Sequence, residues 1–126
     1  MGSRLSASEV RSLLMFNTEI GTLNLPSRSS VEGNSGQNYE AYYQDKSAVW
    51  YKLDNNDKIK LWFWTVTEDG VLCRGPSFRQ TWCRAIELDG AGGYKAVGFR
   101  SGKFRYQFRV KKGLSSLRKN LKNLQK

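Results

Sequence analysis

Between residues 103 and 110 the chain alternates without a break. Phe104, Tyr106, Phe108 and Val110 share one parity, and Lys103, Arg105, Gln107 and Arg109 share the other. Successive side chains on a strand face opposite ways, so this stretch predicts a strand with one apolar face and one basic face. Upstream, 39–44 (YEAYYQ), 47–53 (SAVWYKL), 58–67 (KIKLWFWTVT), 71–74 (VLCR), 78–88 (FRQTWCRAIEL) and 94–100 (YKAVGFR) are rich in aromatic and β-branched residues and read as further strands. Between them lie DNND (54–57), EDG (68–70), Gly75-Pro76 and DGAGG (89–93), whose Asn, Asp, Gly and Pro residues suit turns. Six or seven short strands with closely spaced turns predict a mainly β chain, a small antiparallel barrel or sandwich.

The period changes at the C-terminus. Leu114, Leu117, Leu121 and Leu124 fall at i, i+3, i+7 and i+10, which predicts one helix over 114–124 with a narrow leucine stripe. The stripe suits packing on the chain's own barrel and a seam between two copies equally well. Near the N-terminus, 6–16 (SASEVRSLLMF) is ambiguous. Ser6 and Glu9 have the spacing of a helix capping box, while the apolar run also suits a buried strand. Residues 26–38 are loop by composition and are expected to be mobile, and residues 1–5 are expected to be a flexible or added N-terminus.

The 126 residues suit a single domain. The apolar run LLMF is far too short to cross a membrane or to serve a secretory signal. Cys73 and Cys83 read as two free thiols in a reducing compartment. There is no histidine. The commonest general base and the commonest metal ligand are therefore missing, and no residue pair nominates itself for catalysis. A non-enzymatic protein without cofactor or metal is expected.

Charge changes the picture most. Residues 1–101 carry twelve basic and eleven acidic side chains, whereas 102–126 carry nine basic and none acidic. A nearly neutral body with one concentrated basic element points to a polyanionic partner. Along the final strand the cations recur every about 7 Å, near the phosphate spacing of an extended single strand. Basic outer faces also protect sheet edges, but Lys111, Lys112, Arg118, Lys119, Lys122 and Lys126 continue the charge past the strand. Lys103, Arg105, Arg109, Lys111 and Lys112 are the candidate phosphate contacts, and Arg74, Arg79, Arg84 and Arg100 could extend that surface. In WFW (62–64) either Phe63 or the Trp62/Trp64 pair must face outward, and Tyr42-Tyr43 poses the same choice. Tyr43 and Trp64 are the candidates for stacking bases.

Taken in order, AYYQDKSAVWYKL, the Trp-rich hairpin and GKFRYQFRVKKGLSSLRKNL resemble the coronavirus replicase subunit family called non-structural protein nine. The likeness covers about residues 39–124 and is strongest over 103–117. It implies a barrel related to OB folds, binding of single-stranded RNA, a homodimer through the C-terminal helix (Gly113, Leu114, Leu117, Leu121, Leu124), and a place with the viral polymerase complex in the host cytoplasm. Two departures stand out. Leu117 occupies the position of the family's second helix glycine, and the opening MGSRLS lacks the family's N-terminal asparagine, the nucleotide acceptor. Both point toward a distant, torovirus-like nidovirus relative. A rival expectation is a peripheral membrane protein acylated at Gly2, because Gly2 and Ser6 match a myristoylation signal and the basic tail supplies a second anchor. A third is an assembly module that docks a partner helix on the leucine stripe.

Overall fold

Ser6 resolves the N-terminal ambiguity. Its hydroxyl accepts from the Glu9 amide, and the Glu9 carboxylate accepts from the Ser6 amide at 2.9 Å. The reciprocal cap satisfies two amides that a helix start leaves open, so Ala7–Leu14 forms helix α1. The computed structural model describes residues 4–24, 35–54, 59–76 and 82–124. After α1 come β1 (Asn17–Leu23), β2 (Asn38–Tyr43), β3 (Ala48–Leu53), β4 (Lys60–Val66), β5 (Leu72–Gly75), β6 (Trp82–Leu88), β7 (Tyr94–Val97), β8 (Phe104–Lys112) and α2 (Ser115–Leu124).

Each strand pairs antiparallel with its sequence neighbour, and β8 closes on β1 from Asn17↔Lys112 to Leu23↔Tyr106. The chain is thus mainly β, a closed antiparallel barrel with a C-terminal helix, as the alternation predicts. The strand count is eight rather than six or seven. The missed strand is β1, whose inward positions include Glu19 and Gly21, so it shows no apolar alternation. The consecutive neighbour order is an up-and-down barrel, which differs from the partly open Greek-key path of an OB fold. Most of the loop expected at 26–38 lies outside the described residues, and Asn38 already belongs to β2. The two thiols expected to be free form a disulfide, because Cys73 and Cys83 are directly opposed on β5 and β6.

An eight-stranded barrel has an interior that side chains fill. Tyr39, Tyr43, Val49, Trp62, Trp64, Leu72, Ile86, Tyr106 and Phe108 belong to one buried cluster there. Val10 and Leu14 of α1 join it and close one end. At that end the Arg11 guanidinium donates to the Val66 carbonyl and the Phe16 amide donates to the Tyr43 carbonyl. Gly21 is an interior necessity. A Cβ there would lie 2.6 Å from the Tyr39 ring and 2.6 Å from the Gln107 carbonyl oxygen.

A second, smaller cluster sits on the outer wall, where Leu117 of α2 is buried against Tyr42 and Ile59, with Trp50, Leu114 and Leu121 around it. Leu117 of the leucine stripe therefore packs on its own barrel, with Leu114 and Leu121 partly buried beside it. Gly113 is exposed at φ 86°, in the left-handed conformation that turns the chain from β8 into α2. The Thr18 hydroxyl donates to its carbonyl at 2.8 Å.

Two substitutions test this packing. Gly21→Ala is expected to lower stability by about 1–3 kcal/mol, because the ring and the neighbouring strand must both give way; urea unfolding reads this directly. Leu117→Asp is expected to cost about 2–5 kcal/mol with an unfolding midpoint independent of protein concentration. A midpoint that rises with concentration in the wild type would instead place Leu117 in a dimer seam.

Candidate nucleic-acid interface

Strand parity distributes the candidate residues. On β8 the even positions Tyr106 and Phe108 enter the core, so Lys103, Arg105, Gln107, Arg109 and Lys111 fall on the outer face or its margin. Lys103, Arg109, Lys111 and Lys112 are exposed and Arg105 is half-buried. Arg118 and Lys119 on the free side of α2 are exposed as well. The salt bridges among the described residues join Arg4 and Lys95 to Glu87, and Arg74 to Glu19, and none involves β8 or α2. Exposed cations thus lie on the outer faces of both strand and helix, and among the described residues none of them is ion-paired.

The outer row of β8 has acidic neighbours. An open groove of about 780 Å³ crosses β8, β1 and β2, with Gln107 and Arg109 lying in it between Asp89 on one side and Asn38, Glu40 and Asp54 on the other. Glu40 accepts the Tyr42 hydroxyl, and Asp89 accepts the amides of Ala91 and Gly93. Glu40 and Asp54 flank Gln107 and Arg109 from the β1–β2 side and Asp89 from the β7 side, so the middle of β8 is the least favourable part of its outer row for a phosphate and the two ends are the most favourable.

Several predicted site residues lie elsewhere. Tyr43 and Trp64 are buried in the barrel, with ring centroids 4.8 Å apart, and cannot stack on a base. In WFW it is Phe63 that faces outward, half-buried, because Trp62 and Trp64 have the inward parity. Arg74 is buried too, and so is no phosphate contact. Arg84 is half-buried opposite Leu72 and donates to the Cys83 carbonyl, so it adds nothing to the exposed cations of β8 and α2. Arg100 is exposed in the β7–β8 turn, 5.4 Å over the Phe99 ring. Arg79, Lys126 and Gly2 lie outside the described residues, and nothing is described of the Lys122 and Leu124 side chains.

Arg74 has a different role. Its guanidinium donates to Glu19 at 3.0 Å and to the Tyr43 hydroxyl at 2.9 Å. Its Cζ lies 5.2 Å from the Tyr39 ring and 5.3 Å from each of the Tyr51 and Tyr106 rings. The Tyr39 and Tyr43 hydroxyls both donate to the Glu19 carboxylate. Burial opposes the charge on Arg74, but Glu19 overrides it and holds the guanidinium protonated. Burial, reinforced by the Glu19 charge, pushes the Tyr39 and Tyr43 phenols well above the usual value near 10. The lone signal in the sequence was an arginine, Arg74, at an inward position between Leu72 and Pro76.

Chemically, the surface can bind anions. Among the described residues no group of three His, Cys, Asp or Glu side chains could hold a metal ion, and no helix is long and apolar enough to cross a membrane. Comparison with known protein families, curated proteins and solved structures finds no match to this chain.

The interior phenols make a pH prediction. A tyrosine whose folded pKa is raised contributes stability that is fully present below the unfolded pKa of about 10 and is lost as pH rises through the folded value. Stability is expected to fall steeply above about pH 10. Tyrosinate absorbance from Tyr39 and Tyr43 should then appear only together with loss of the near-ultraviolet dichroism. Titration of all six tyrosines within the intact fold would contradict the buried network.

Proposed function

We propose that this protein is a non-enzymatic module that binds single-stranded RNA with little sequence preference. The phosphate backbone would run along the outer face of β8, over Lys103, Arg105, Arg109, Lys111 and Lys112, and continue past Arg118 and Lys119. The observation that carries the reading is the concentration of exposed cations on β8 and the first turn of α2. From Lys103 to Lys119 no acidic residue occurs, and none of the described cations there is neutralised by an ion pair. A solvated protein face ordinarily mixes signs. Pairs of cations about 7 Å apart at each end of a strand, separated by Gln107, suit an extended single strand better than the regular groove of a duplex.

A place in a viral replication complex, beside a polymerase in the host cytoplasm, belongs to this proposal through the sequence resemblance over 103–117 alone. The docked leucine stripe favours a module that acts without a helix-mediated homodimer.

The test is fluorescence anisotropy of a labelled, mixed-sequence single-stranded RNA over a salt series, with Lys103→Glu/Arg105→Glu/Arg109→Glu alongside. Each phosphate contact contributes about 0.7 to the log–log salt slope, so the triple variant should lose about 2 from that slope and most of its affinity. Circular dichroism should stay unchanged, because none of the three side chains enters the core. No wild-type binding at low salt would sink the RNA reading. If vesicles containing anionic lipid were then bound instead, the membrane reading would replace it.

A further inference from the structure

The aromatics expected to stack on bases are inside the barrel, yet two others are on the surface at one end of the outer row of β8. Phe104 is 41% exposed and Phe99 is 39% exposed, on either side of the β7–β8 turn. Phe104 has inward parity, but it is the first residue of β8 and lies at the rim of the barrel, partly exposed. The turn is pinned by the Gly98 amide donating to the Lys103 carbonyl and the Gly102 amide donating to the Gly98 carbonyl, both at 2.8 Å. The ring is therefore presented from a fixed hairpin.

Phe104 forms one wall of an open groove of about 450 Å³, whose other walls are Thr22, Asn24, Ser35, Gly36 and Gln107. Asn24 is held there by its backbone amide, which donates to the Arg105 carbonyl at 2.7 Å. Among the described residues, no hydrogen bond occupies the Asn24 or Gln107 side-chain amide. Both side chains are exposed. The outward row of β8 runs Lys103, Arg105, Gln107, Arg109, Lys111. Its single uncharged member is the one that lines this groove.

We infer that the groove holds one unstacked nucleobase of the bound strand. The base lies on the Phe104 ring, the Asn24 and Gln107 amides bond its edge, and Lys103 and Arg105 hold the phosphates on either side. The inference rests on the RNA-binding reading of β8 and adds a base contact to it. A carboxamide both donates and accepts, so two of them can meet the polar edge of any base, which fits a site that tolerates sequence. A groove built for phosphate alone would put a cation at position 107 and would have no use for an exposed ring.

The test compares two labelled probes of equal length, a single-stranded RNA and an abasic ribose-phosphate strand, on the full chain. The wild type should bind the base-bearing strand roughly tenfold more tightly than the abasic one. Phe104→Leu should erase that preference while leaving the salt slope unchanged, because no phosphate contact is removed. Phe104→Trp should restore it. Asn24→Ala/Gln107→Ala should weaken the preference without abolishing binding. Equal binding of both probes by the wild type, or an intact preference in Phe104→Leu, would overturn the base slot and leave the phosphate track standing. Failure of the wild type to bind either probe at low salt would overturn both.

Discussion

The ion pair between Glu19 and Arg74 is the contact on which the barrel's interior is organised. It joins β1 to β5, strands that do not pair, across the inside of the barrel. Removing two charges from water costs several kcal/mol per ion, and only close geometry with further hydrogen bonds offsets it. Here both carboxylate oxygens are occupied, one by Arg74 and Tyr39 and the other by Tyr43, while three tyrosine rings lie within 5.3 Å of the guanidinium carbon. The pair also fixes register. A slip of one residue in β1 would move Glu19 outside and strand Arg74 among aromatic rings. Gly21 follows from the same arrangement, since Tyr39 reaches Glu19 through the space a Cβ at that position would fill.

A packed interior decides where function can be. Tyr39, Tyr51 and Trp62 stack in sequence across β2, β3 and β4 with centroid separations of 5.5 and 4.2 Å, and Trp82 continues the stack at 5.8 Å. Those rings occupy the volume that some other eight-stranded barrels give to a small ligand. The remaining places for recognition are the outer wall and the rims. Helix α2 covers part of the wall at Tyr42 and Trp50. Acidic side chains line the groove beside β1. What is left to a polyanion is the two ends of the outer row of β8, the free side of α2 and the rim at Phe104. The basic residues concentrated in the last fifth of the chain occupy the surface that packing has left open.

Alternation made seven of the eight strands legible, because their inward positions are mostly apolar and their turns carry Gly, Asn, Asp or Pro. It failed at β1 for a physical reason. That strand supplies the carboxylate and the close-approach glycine of the interior network, and a polar interior position imitates a surface one. The same network misled the reading of Arg74, since a buried arginine and a phosphate-binding one have the same letter and differ only in the parity of an unknown register. Tyr43 and Trp64 were misplaced similarly. A run such as WFW shows that its faces differ but not which face is inside. The outward placement of Lys103, Arg105, Arg109 and Lys111 was legible because alternation and charge agree there, and charge without a buried partner belongs in water. Phe104 was hidden by its own regularity. It continues the apolar parity of β8, and only the closure of the barrel shows that the strand's first position lies at the rim.

The disulfide sharpens what the fold does and does not need. Two cysteines in a chain read as intracellular suggested free thiols, but β5 and β6 set Cys73 and Cys83 opposite each other by strand pairing. The bridge closes a loop of ten residues, which by chain entropy is worth at most about 3 kcal/mol. The flanking pairs Leu72↔Arg84 and Arg74↔Trp82 hold the same two strands together. Arg74 remains anchored to Glu19 on the far side whether or not the sulfurs are joined. Reduction would therefore remove an increment of stability without opening the barrel. The exposed cations of β8 and α2 face solvent and depend on closure between β8 and β1. The proposed anion-binding surface therefore does not rest on the bridge.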